Sequence, residues 1–79
     1  MQIDLYRRPE AGHKVSFLAV PAGKQIPEEV INTDWSSVGR AVNLADHAQR
    51  WSEYGIESPE AQIAEKGYAI TSVAEQPDE

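Results

Sequence analysis

Trp35-Ser36-Ser37-Val38-Gly39-Arg40-Ala41-Val42 is the stretch on which the fold turns. Trp35, Val38, Val42 and Ala45 recur at helical spacing, and Ala48 and Trp51 continue the stripe, so one long helix over residues 35–54 is one reading. The composition speaks against it. Serine, valine and glycine are poor helix formers, and a glycine inside a helix costs about 1 kcal/mol relative to alanine. Gly39 suits a bulge in an extended segment instead. The reading adopted is a third strand over residues 36–42, with the helix as its competitor.

Upstream, residues 2–8 alternate, with Ile3 and Leu5 on one side and Gln2 and Asp4 on the other, the period of a half-buried strand. Pro9 and Gly12 mark a turn, and residues 14–20 read as a second strand that is apolar on both faces near its end. The two predict a β-hairpin, 2–8 with 14–20. Residues 21–23 end that strand, and residues 25–33 read as irregular, with Pro27 able to start a short helical turn.

Downstream, residues 45–54 read as a helix, with Leu44, Ala48 and Trp51 on one face. Gly55 followed by Ile56 predicts a Schellman end. A second helix is predicted over residues 59–66, with Ser58 as N-cap, Pro59 at the first helical position and Gly67 as its stop. Residues 68–73 are rich in β-formers and predict a closing strand, and residues 74–79 predict a frayed acidic tail. The expected architecture is a single α+β domain over residues 1–79: a small, mostly antiparallel sheet with two short helices packed on one face. Nothing in the sequence obviously covers the other face, which motivates a homodimer as one expectation.

The composition narrows the chemistry. The chain has 79 residues, 41% of them hydrophobic, and no cysteine, which fits one small core without disulfides or a cysteine-bound zinc. A net charge of −6 argues against nucleic-acid binding. No run approaches the ~20 apolar residues of a membrane span, and residues 1–8 do not read as a signal peptide, so a bacterial cytoplasm is the expected location. His13 and His47 stand far apart without a metal-binding spacing, Gly23-Lys24 fails the phosphate-loop pattern, and no nucleophile motif is present. No cofactor and no catalytic residue is expected.

The charge is uneven. Residues 1–24 carry a net +2 and residues 25–79 a net −8. Arg7, Arg8, His13 and Lys14 gather at the hairpin end, and arginine clusters favour acidic partners. Trp35 joins them as a residue that serves either core or contact. These five are the candidate contact residues of a non-enzymatic interaction or regulatory module with a protein partner. Two alternatives compete. One is a small enzyme or ligand-binding domain using Asp34, His13 and the arginines. The other is an acidic mimic of nucleic acid built on Asp46, Glu53, Glu57, Glu60 and Glu65.

Three stretches carry a resemblance: Asp4-Leu5-Tyr6-Arg7-Arg8-Pro9-Glu10, Thr33-Asp34-Trp35, and Gln62-Ile63-Ala64-Glu65-Lys66-Gly67-Tyr68-Ala69-Ile70. In these the chain resembles a family of short, functionally uncharacterised proteobacterial proteins. The resemblance implies a stand-alone bacterial domain. It carries over no activity and no site residue.

Overall fold

A computed structural model describes residues 1–30, 34–45 and 50–78. β1 (Gln2–Pro9) and β2 (Val15–Pro21) form the expected hairpin, with Ile3 opposite Pro21 and Pro9 opposite Val15. A single 3-10 turn, Ala11–His13, joins them, with Gly12 at φ 70°. The Glu10 N–H closes the loop on the Lys14 carbonyl at 2.7 Å.

The deciding stretch is extended. β3 (Ser36–Asn43) lies antiparallel to β1 on the side away from β2. Its register slips as the sequence suggested. Ile3 faces Val42 and Leu5 faces Gly39, so β3 spends an extra residue there. A Cβ on Gly39 would lie 3.0 Å from Val42 Cγ2, which explains the glycine at the bulge. The bulge also forces Ala41 to φ 51°, and its N–H turns to Asp4 Oδ1 at 2.9 Å.

β4 (Ala69–Ile70) pairs antiparallel with β2 and completes the order β3-β1-β2-β4. The closing strand is therefore shorter than the 68–73 expected. The cause is Thr71. Its N–H still donates to the Phe17 carbonyl at 3.0 Å, but its own hydroxyl, not a carbonyl, accepts the Phe17 N–H at 2.7 Å. The Ser72 N–H then bonds to the Gly55 carbonyl at 2.9 Å, and the chain leaves the sheet into the 3-10 turn Val73–Glu75.

Among the described residues there is one α-helix, not two. α1 (Pro59–Lys66) begins at Pro59 as expected and stops at Gly67, φ 89°, whose N–H bonds to the Ile63 carbonyl. Ser58 holds the N-cap position but sits at φ 46° and makes no side-chain cap. The Gln62 side chain reaches back to the Glu57 carbonyl instead. The helix expected over 45–54 is replaced, in its described part, by turns at residues 50–55. Its stop signal is nonetheless real. Gly55 takes φ 68°, the Ile56 N–H bonds to the Trp51 carbonyl and the Gly55 N–H to the Ser52 carbonyl, the Schellman pair. Two tethers limit the segment. The Leu44 N–H is tied to the Met1 carbonyl, and the Trp51 indole donates to the Leu44 carbonyl at 3.2 Å. Short helices draw little stability from their own backbone, so such tethers prevail. Asp46, His47 and Ala48, assigned to this helix from sequence, lie outside the described residues.

Both faces of the central strands β1 and β2 are covered, while β3 stays largely exposed apart from Val42. On one, Ile3, Leu5 and Ala19 pack with Leu44, Trp51, Ile56, Ile63 and Ala69. On the other, Leu18, Val20 and Tyr68 pack with Tyr6, Ile70 and three side chains of the β2–β3 connection, Ile26, Val30 and Trp35. The stretch read as irregular from sequence thus supplies Ile26 and Val30 to this cover, aided by the 3-10 turn Glu28–Val30. Over β1 and β2 no open face is left to motivate a homodimer. No helix among the described residues is long and apolar enough to cross a membrane.

Candidate interaction surface at the hairpin end

Strand alternation splits the sequence-predicted cluster. Arg7 faces Phe17 in the register and Arg8 faces Ser16, so the two arginines project to opposite faces of the sheet. Arg8 is the one that meets Trp35. Its guanidinium carbon lies 4.3 Å from the centre of the indole ring, and the indole N–H donates to the Val30 carbonyl at 3.1 Å. The ring is therefore held both at its N–H and under the cation. Arg8 Nε and Nη2 also reach Glu10 Oε2, at 2.9 and 2.8 Å. Burial works to raise the Glu10 carboxyl pKa. The Ser16 hydroxyl and the Arg8 guanidinium outweigh it and hold the group below its ordinary value. Trp35, Arg8, Glu10 and Ser16 form one connected row across the hairpin end.

Lys14 and His13 fall elsewhere. His13 is exposed on the turn at φ 60°. Lys14 is engaged by the C-terminal segment: its Nζ lies 2.6 Å from Asp78 Oδ1, and the two residues form an antiparallel bridge. Beside that bridge the Val15 N–H donates to the Pro77 carbonyl at 3.0 Å, and Gln76 Nε2 reaches the Ser16 hydroxyl at 3.4 Å. A short acidic segment therefore lies in strand register along the outer edge of β2, beyond the point where β4 leaves it.

Sequence reasoning missed Glu10, Ser16, Gln76 and Asp78 as members of this surface. Glu10 was within reach of Arg8 and could have been found by its spacing. Asp78 could not, because 64 residues separate it from Lys14.

Chemistry elsewhere is sparse in what the described residues offer. No group of three or more histidine, aspartate or glutamate side chains among them could hold a metal. Asp4 is buried, and its carboxylate accepts the Ala41 N–H at 2.9 Å and the Gly23 N–H at 3.2 Å. These two bonds, helped by Arg40 and opposed by burial, hold its pKa below the usual value. Asp4 is a structural clamp between the β3 bulge and the turn after β2. An open, mostly apolar groove of about 740 Å³ is lined by Leu44, Trp51, Ile56, Pro59, Glu60 and Ala61 among others. The acids Glu53, Glu57, Glu60 and Glu65 are exposed on the same half of the chain, and Asp46 lies outside the described residues.

The fold and this surface define a small α+β domain: a four-stranded antiparallel sheet with, among the described residues, one α-helix, and with residues 76–78 seated on a sheet edge. A family model covers residues 1–77, and the chain belongs to that family, a family of unknown function, DUF6139. No curated protein matches the chain, and no solved structure matches it.

Proposed function

We propose that this chain is a non-enzymatic protein-interaction module and that the hairpin end is its contact surface. One observation carries the reading. At the hairpin end a sheet edge holds an extended acidic segment, using the Val15 N–H for its backbone and Lys14 for its carboxylate. Adding a strand to a sheet edge is a recurrent way for a domain to bind a peptide. The neighbouring Arg8, stacked on Trp35, supplies a rigid cation, and His13 stands exposed at the rim. Rigid aromatic and arginine side chains are the residues that contribute most at protein contacts.

The test is affinity capture from the native host with the intact protein and with the double variant Arg8→Ala, Lys14→Glu, after checking that the variant is folded. The reading expects a defined partner with the intact protein and its loss with the variant. A partner retained equally by both places the contact surface elsewhere.

A further inference from the structure

We infer that the outer edge of β2 at residues 14–16 is an acceptor site for an extended segment of a partner protein, and that the chain's own residues 76–78 occupy it as a displaceable stand-in. The inference rests on the interaction reading above and names the kind of partner.

The register gives the argument. Lys14 faces Asp78, and the bond from the Val15 N–H to the Pro77 carbonyl puts Val15 opposite Pro77. Two residues facing each other at such a position in an antiparallel pair exchange both of their backbone bonds. Here only one can form, because proline has no N–H to return to the Val15 carbonyl. Among the described residues one backbone bond holds the tail, flanked by the exposed ion pair Lys14–Asp78 and the Gln76–Ser16 contact at 3.4 Å. An exposed ion pair adds little. At Val15 the edge offers a carbonyl that Pro77 cannot use.

What would use it better follows from the same geometry. The partner segment is extended, places a carboxylate opposite Lys14, and carries any residue but proline opposite Val15, so that both backbone bonds form. The tethered tail has the advantage of its high local concentration. The missing bond offsets that advantage and leaves the site exchangeable. It also discourages another copy's tail, which carries the same proline.

The experiment uses the full chain, labelled with nitrogen-15, and two synthetic peptides. One has the sequence of residues 73–79, Val-Ala-Glu-Gln-Pro-Asp-Glu. The other has alanine in place of the proline. The amide of Val15 is followed, with the buried Ile3 and Leu18 amides as the check on folding. Asp78→Lys is expected to speed hydrogen exchange at Val15 about fivefold, the upper range for an exposed ion pair, with Ile3 and Leu18 unchanged. In that variant the alanine peptide is expected to shift the Lys14, Val15 and Ser16 amides, and to bind several-fold tighter than the proline peptide. Combining Lys14→Glu with Asp78→Lys restores the ion pair in reverse and is expected to close the edge again. Unchanged Val15 exchange in Asp78→Lys, equal binding of the two peptides, or shifts confined to other residues would each overturn the inference. Such a failure, with a host partner still lost in the Arg8→Ala, Lys14→Glu variant, refutes the acceptor edge while leaving the hairpin contact surface standing. Loss of neither refutes the interaction reading itself.

Discussion

The hydroxyl of Thr71 stands in for a backbone carbonyl opposite Phe17. Its Oγ1 accepts the Phe17 N–H at 2.7 Å and donates to the Tyr54 carbonyl at 2.6 Å. One side chain therefore ends β4, satisfies β2 and ties the turn before Gly55 to the sheet. Thr71→Val keeps the shape and removes the hydroxyl, leaving a part-buried donor and acceptor without it. Chemical denaturation is expected to show a loss of about 2–3 kcal/mol with little change in the slope of the transition.

Asp4 links acid stability to the β3 bulge. Its carboxyl titrates below its ordinary value because the Ala41 and Gly23 N–H groups bind the charged form. A carboxyl depressed in the folded state contributes stability that is complete above its unfolded pKa of about 3.9 and is lost as pH falls through the folded value. Asp4→Asn is expected to cost about 1–2 kcal/mol at neutral pH and to flatten the fall in stability below about pH 4. Glu10 is depressed in the same direction and keeps part of the acid sensitivity in that variant. Urea midpoints measured from pH 7 down to pH 2.5 check both the loss and the slope.

Two positions of left-handed backbone should respond in opposite directions. Ala41 sits at φ 51° with a side chain that this region disfavours, so Ala41→Gly is expected to stabilise by about 0.5–1 kcal/mol. Gly55 sits at φ 68°, and a Cβ there would stand 2.2 Å from the Glu75 carbonyl oxygen and 2.9 Å from Thr71 Cγ2. Gly55→Ala is expected to destabilise by about 3 kcal/mol and to push the Val73–Glu75 turn away. Thermal melts of the two variants against the intact chain give the signs directly.

The Arg8–Trp35 stack should be measurable as a coupling. In a double-mutant cycle with Arg8→Ala and Trp35→Leu, the pair is expected to contribute about 0.5–1 kcal/mol beyond the single losses. Strict additivity would mean that the guanidinium and the ring at 4.3 Å do not hold one another.

The sequence made some parts of this structure readable and hid others for physical reasons. The hairpin and β3 were legible because alternation, Gly39 and the poor helix formers around it point the same way. The helix expected over 45–54 was the reverse case: its stop at Gly55 and Ile56 was correctly marked, while a long-range bond from Leu44 to Met1 and a local one from Trp51 to Leu44 tie down the described part of the segment. The cover on the second sheet face was hidden because Ile26, Val30 and Trp35 follow no period. At the candidate surface the basic residues and Trp35 were visible, and Glu10 lay within reach of Arg8 by spacing, but the partner of Lys14 was not. Alternation sends Arg7 away from Arg8, and Asp78 reaches Lys14 only once β4 has brought the chain end back beside β2.

The central claim is that the C-terminal segment lies in antiparallel register on the β2 edge, and one measurement tests it most directly. In that register Lys14 and Asp78 form the close, non-hydrogen-bonded pair, whose α-protons approach each other. A nuclear Overhauser spectrum of the full chain should show a strong cross-peak between the α-protons of Lys14 and Asp78. Its absence, with the corresponding β1–β2 cross-peaks present, would contradict the account.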